Sequence, residues 1–135
     1  MDDYQELYDR LVGVERIILA SPIYFTGVTA QTKTLIDRCQ CLWARRYVLR
    51  ASLPATPSGR PRLGAFISTA GDKRTSFDCA VTTTRAFFAV LHTRYAEELL
   101  ANGVDERGAV NTRQDLLDQA HTLGARLAQT LDGSE

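Results

Sequence analysis

The sequence predicts an α/β protein, a parallel sheet layered between helices, on three observations. Segments with helical and strand-like patterning alternate as helix–strand–helix–strand–helix–strand–helix, the signature of parallel strands joined by crossover helices. The two clearest strand segments, 17–20 and 63–68, are mostly unbroken apolar runs, as suits strands covered on both faces. Each ends in a turn of Pro, Gly or small residues, where open α/β sheets bind their ligands. At 135 residues and 44% hydrophobic, the chain can bury a real core and reads as one domain, 1–135.

Asp2 and Asp3 suit a helix N-terminus, where negative charge is favoured. Tyr4, Leu7, Tyr8 and Leu11 then recur at helical spacing, and Gly13 supplies a stop. The first strand ends at Ser21-Pro22, because proline donates nothing to a ladder and holds the residue before it extended. Tyr24 and Phe25 follow directly, and Gly27 is expected to let the chain turn. Such an aromatic, backbone-rich loop suits a flat ring system.

A second helix, capped by Thr29, is expected to run to about Tyr47 with Leu35, Ile36, Cys39, Leu42, Trp43 and Tyr47 as its apolar stripe. Lys33 and Asp37 are spaced for an ion pair. Arg38, Arg45, Arg46 and Arg50 form a basic cluster that reads as a solvated or subunit-facing surface, or as a contact for a cofactor phosphate. Residues 51–61, with three prolines, are a loop.

The second strand, 63–68, ends in the small-residue turn Thr69-Ala70-Gly71, which lets backbone N–H groups approach a ligand. Asp72, Lys73 and Arg74 read either as a solvated turn or as charge beside that ligand. Ser76 is expected to cap a third helix with Phe77, Ala80, Val81, Thr84, Phe88 and Leu91 facing inward. His92 falls at its end, where a partly charged imidazole is expected in a structural role. Residues 94–100 read as a strand at the sheet edge, and Asn102-Gly103 as the loop after it. Thr112 and Asp115 resemble a capping arrangement for a last helix striped by Leu116, Ala120, Leu123, Gly124, Leu127 and Leu131. His121 lies beside that stripe, and the tail from Asp132 is expected to fray.

Sixteen basic and sixteen acidic residues give a formal charge of zero, so there is no general electrostatic case for nucleic acid or an anionic membrane as partner. No apolar run approaches ~20 residues, and the acidic first residues lack a signal-peptide core, which makes the cytoplasm the expected location. Cys39, Cys41 and Cys79 are an odd set and read as buried free thiols rather than as a disulfide framework or metal site. Nothing in the sequence assembles a catalytic acid–base or nucleophile constellation.

Ser21-Pro22-Ile23-Tyr24-Phe25, then Thr29-Ala30-Gln31-Thr32-Lys33 and Ile36-Asp37-Arg38, closely resembles the NADPH-dependent FMN reductase family. The branch with the iron-sulfur flavoproteins and the multimeric flavodoxin-like NAD(P)H:quinone reductases is the most similar. The resemblance implies a flavodoxin-like three-layer α/β/α fold in which these strands match the third to the fifth. It implies bound FMN, NAD(P)H as hydride donor, and a homodimer or homotetramer. It places FMN against Ser21, Pro22, Ile23, Tyr24, Phe25, Thr26 and Gly27 on one side and Thr69, Ala70 and Gly71 on the other. The family's first two strands, first helix and phosphate-binding turn have no counterpart here, and the three cysteines do not match the iron-sulfur branch's cluster ligands. The first strand is therefore expected to need cover along its outer edge. An alternative expectation is a non-catalytic flavodoxin-like module that binds a partner or oligomerises, having lost the phosphate site.

Overall fold

In a computed structural model, which describes residues 4–129, three parallel strands form one open sheet in the order β1-β2-β3. The elements are α1 (Tyr4–Gly13), β1 (Arg16–Ala20), α2 (Ala30–Arg38), α3 (Gln40–Trp43) and a π-helical turn (Ala44–Val48). They continue with β2 (Arg62–Ala70), α4 (Asp78–Val90), β3 (Thr93–Asn102), a 3-10 turn (Ala109–Thr112) and α5 (Gln114–Gln129). The alternation read from the sequence is therefore the alternation observed. Asp2, Asp3, Leu131 and the tail fall outside the described residues.

Helices cover both faces, and the strands' two-residue period divides the core accordingly. Ile17 and Leu19 of β1 and Phe66 of β2 pack with Val12, Leu42, Phe87 and Phe88 from α1, α3 and α4. Leu63 and Ala65 of β2 and Leu99 and Ala101 of β3 pack with Leu116, Leu123 and Leu127 of α5. β2 is the central strand, and only two of its nine residues are less than fully buried. Gly64 is needed there because the ring of the fully buried Phe88 fills the space where a Cβ would stand. Beside it, β3 skips Ala96 in the pairing, a bulge between Tyr95 and Glu97 on the edge strand.

Two arginines do structural work that their sequence neighbourhood does not reveal. The buried Arg62 guanidinium donates through Nη2 to the carbonyls of Val12 and Pro54, and Arg46 donates through Nη1 to that of Ala89. Val12 and Ala89 lie in the last turns of α1 and α4, where unpaired carbonyls and the helix dipole favour a cation.

The expected single helix to Tyr47 is corrected. The chain breaks at Cys39, restarts as α3 and then winds as a π turn. Cys39 and Leu42 are buried but Trp43 and Tyr47 are exposed, so the expected stripe does not continue past Leu42. Cys41 and Cys79 are exposed too, and only Cys39 is the buried thiol expected. Leu7, expected on the inner stripe of α1, is exposed, and Val12 takes the buried place. The Lys33–Asp37 pair forms at 2.6 Å and Thr29 caps α2. Asp115 does not cap through Thr112, because it pairs with Arg113 at 2.7 Å, which holds its carboxyl below the usual range. Ser76 accepts from the Asp78 amide, one residue before the N-cap position occupied by Phe77.

His92 is not charged by its helix end. Desolvation, then Arg46 and Arg62, push its pKa below the ordinary 6.5. The folded state thus favours the neutral imidazole, and stability is expected to fall as pH drops from 6.5 through the lower folded value. Urea melts between pH 7 and 5 test this: His92→Gln is expected to flatten the slope, and an unchanged slope would assign it to other groups.

Candidate functional site

The carboxyl ends of all three strands meet at one pole, and the loops there are built from the two sequence stretches singled out above. Beyond β1 the chain stays beside β2, since the Ser21 amide donates to the Ile67 carbonyl at 3.1 Å and the Ile23 amide to that of Thr69 at 2.9 Å. Ser21 is buried, and its hydroxyl accepts from the Thr29 amide at 3.0 Å while the Ser68 hydroxyl donates to its carbonyl at 2.6 Å. These bonds close the loop 21–29 at its base. Ile23 and Val28 pack their side chains on the core, so the loop has apolar feet.

Its tip is a two-residue hairpin. Tyr24 and Gly27 exchange both backbone hydrogen bonds, at 3.0 and 3.1 Å, across Phe25 and Thr26. Both central residues are left-handed, with φ of 50° and 65°, the pattern of a type I′ turn. The turn expected from Gly27 is therefore made by its two predecessors, and Gly27 itself has no positive φ. Such turns favour Asn-Gly, and a β-branched residue in this region is a strained choice, costing roughly 1–2 kcal/mol. Thr26→Gly is accordingly expected to stabilise the protein by about 1 kcal/mol in a denaturant melt. A loss of stability would show that the threonine contributes more than its strain costs.

The strain holds two rings in solvent. Tyr24 is 64% exposed and Phe25 completely so, at 104%. Core packing within this chain is thus not their role. Most amide donors of the loop are already engaged, those of Ser21, Ile23, Tyr24 and Gly27 in the bonds above. Among the described residues, the amides of Phe25, Thr26 and Gly71 donate to no protein acceptor. That narrows the expected backbone contacts to a few atoms.

On the neighbouring strand, Thr69 and Ala70 belong to β2 itself, and the turn begins only at Gly71. A Cβ at Gly71 would lie 2.6 Å from the carboxylate of the exposed Asp105, which would have to swing aside to admit a side chain. Asp72 folds the next turn by accepting from the Arg74 amide at 2.8 Å. The Lys73 stem lies over Gly103, which holds a left-handed φ of 72°.

Sequence reasoning missed Asn102 and Asp105, because it took Asn102-Gly103 as a loop signal only. Asn102 ends β3 at this same pole, donating to the Thr75 carbonyl at 3.3 Å while its Oδ1 is buried with no partner. The signal available was its position at a strand's carboxyl end. Tyr4 bonds Cys41 Sγ at 3.2 Å, and burial pushes the Cys39 thiol up, so Cys39 is not an activated nucleophile.

The geometry therefore presents exposed rings and free amides at the ligand-binding end of a parallel sheet, which is where comparison with known proteins becomes informative. The family model described as NADPH-dependent FMN reductase matches residues 1–105. This chain belongs to that family. It is 33% identical over 90 residues to an iron-sulfur flavoprotein of Methanocaldococcus jannaschii, and 32% identical over 87 residues to one of Archaeoglobus fulgidus. These alignments cover 66% and 64% of this chain but 40% of each relative, so the chain spans about two fifths of their length. A flavone reductase structure superposes with a TM-score of 0.68 at 15% identity, covering 95% of this chain and 46% of the other. The Trp repressor binding protein of Bacillus subtilis superposes at 0.65 and 22% identity, covering 90% and 72%. At these identities the superpositions establish the flavodoxin-like fold. No helix among the described residues is long and apolar enough to cross a membrane.

Proposed function

We propose that this chain is an FMN-dependent NAD(P)H oxidoreductase of the flavin or quinone reductase type. The observation that carries the reading is the strained hairpin tip, which holds Tyr24 and Phe25 in solvent beside the carboxyl end of β2. Strain of this kind persists where the surrounding structure needs the conformation, and it gathers at ligand sites. The residues present suit a flavin: flat rings to lie against a flat ring, unengaged amides at Phe25, Thr26 and Gly71 to meet its polar edge, and a glycine at 71 that leaves the backbone open to approach. The bound flavin supplies the hydride chemistry.

The protein's own part is then positioning. Tyr24 and Phe25 stack and exclude water. The bonds from Ser21, Ile23 and Ser68 keep the loop from yielding when a ring presses on it. The strand ends at Thr69 and Ala70 fix the height of Gly71. Hydride transfer asks for no general acid or base from the protein.

A second reading, an oligomerising or partner-binding module with no flavin, draws on β1. Among the described residues that strand pairs with β2 alone, and its Ile18, on the sheet face where α5 packs on β2 and β3, is left 52% exposed. A homodimer or homotetramer is proposed on both readings, since an open apolar edge invites pairing. FMN titration of the purified chain by flavin fluorescence, with mass in solution measured alongside, decides between them. Saturable quenching supports the reductase. No binding up to high micromolar FMN overturns it in favour of the module.

A further inference from the structure

Two arginines and a histidine meet at the pole opposite the Tyr24–Phe25 loop, where the strands begin. Arg62 opens β2 and stands across the ladder from Thr93, which opens β3 and follows His92 directly. The two-residue period sets Arg62 on the sheet face of Phe66, the face on which α1 and α4 pack. Arg46 reaches the same corner from the π turn, and its Nη1 and the His92 amide donate to one oxygen, the Ala89 carbonyl. His92 is the left-handed residue just past α4, with φ of 52°, a place that commonly falls to glycine. The two charges that act on its imidazole are those of Arg46 and Arg62.

Their positive charge is only partly answered. Arg62 is buried, yet its hydrogen bonds leave through Nη2 alone, to the carbonyls of Val12 and Pro54. Its Nε is buried without a partner, whereas Nη1 bonds no protein acceptor and is not sealed from solvent. Arg46 makes one hydrogen bond, to Ala89. Glu15, the acidic residue between α1 and β1, accepts from the Ser58 amide at 3.1 Å. Among the described residues none of Arg46, Arg62 and His92 is in an ion pair. The last carbonyls of α1 and α4 offset part of the cost of burying a guanidinium. They leave its outward N–H groups, and the repulsion from the second arginine, without a counter-charge.

We propose that the corner formed by Arg46, Arg62 and His92 binds a tetrahedral oxyanion of the phosphate and sulfate class, free or carried as a monoester. Guanidinium groups are the donors that fit such oxygens, through charge-assisted N–H bonds. The exposed imidazole adds a donor, and its protonation is favoured by the anion it meets. The site is at the far end of the sheet from Tyr24 and Phe25 and does not depend on the flavin reading.

The chain has two histidines, so the NMR signal of the His92 ring reads the corner while His121 serves as a reference. The probes are sulfate, inorganic phosphate and phenyl phosphate, each against chloride at matched ionic strength. Sulfate is expected to move the His92 signal saturably and leave His121 in place. It is also expected to raise the His92 pKa by about one unit, which is about tenfold tighter binding to the charged imidazole. By titration calorimetry Arg46→Gln is expected to weaken sulfate at least about tenfold, the worth of a hydrogen bond to a charged group. Because that change also releases the end of α4, His92→Gln is measured beside it. It is expected to keep the parent melting point at pH 7.5 and to lose the steepening of sulfate affinity toward pH 5.5. Phenyl phosphate binding tighter than inorganic phosphate would make the ligand a monoester, and equal or weaker binding a free anion. Chloride acting as strongly as sulfate, equal shifts at both histidines, or no saturation below about 0.1 M, where screening alone accounts for the response, overturns the proposal. So does parental sulfate affinity in both variants.

Discussion

Gly64→Ala is expected to lower the unfolding free energy by about 3 kcal/mol, at the upper end of the cost of overpacking a core. The added methyl would lie 2.3 Å from Cε2 and 2.6 Å from Cδ2 of Phe88. That ring has nowhere to go. It is fully buried, 6.0 Å from the Phe87 ring and 5.9 Å from that of Tyr95, and Arg85 covers Tyr95 from outside at 4.0 Å. β2 is also held by strands on both sides, so its backbone does not shift to relieve the clash. Urea unfolding of the purified variant measures the loss. Pairing the change with Phe88→Leu is expected to return part of it, since two residues in contact couple rather than add. A variant as stable as the parent would mean that Phe88 rotates freely into unfilled space.

Tyr24→Ala and Phe25→Ala are each expected to weaken FMN binding by roughly ten- to a hundredfold, in line with ~1–3 kcal/mol for stacking an aromatic side chain on a flat heterocycle. The melting curve of each is expected to stay where it is. Phe25 is fully exposed, and alanine at φ 50° inherits the same backbone strain, so the folded state loses little. This split between affinity and stability separates a ligand-binding ring from a packing ring. FMN binding as tight as in the parent would remove the two rings from the site and with them the proposed role of the loop. The reverse outcome, a lower melting point with unchanged affinity, would place them in a contact between copies.

The fold was legible because its signals are local or nearly so. The apolar run at 17–20 and the mostly apolar 63–68 pointed to strands covered on both faces; that holds for β2, whereas β1 buries Ile17 and Leu19 and leaves Ile18 and Ala20 exposed, and Ser21-Pro22 ends β1 wherever the rest of the chain goes. Even β3, with Glu97 and Glu98 in its middle, was legible as an edge strand, because a bulge and an open side accommodate such charges there. The two stretches of the candidate site were named from the sequence as well, and the hydrogen bond from the Ile23 amide to the Thr69 carbonyl sets them side by side.

Three features belong to the tertiary structure alone. The strain at the hairpin tip falls on Phe25 and Thr26 rather than on Gly27, because the two-residue loop is set by which residues pair across it, and pairing is not a property of composition. The exposure of Trp43 and Tyr47 goes with a helix that breaks at Cys39 and turns π-helical from Ala44, neither of which a regular helical period shows. The work of Arg62 and Arg46 on helix carbonyls needs α1, α4 and their neighbours in place before a guanidinium has anything to reach. Hydrophobic patterning thus determined the layers and their order, since burial follows from each residue's own chemistry. Which rings stay in solvent and which arginines reach helix carbonyls was decided only when distant segments met.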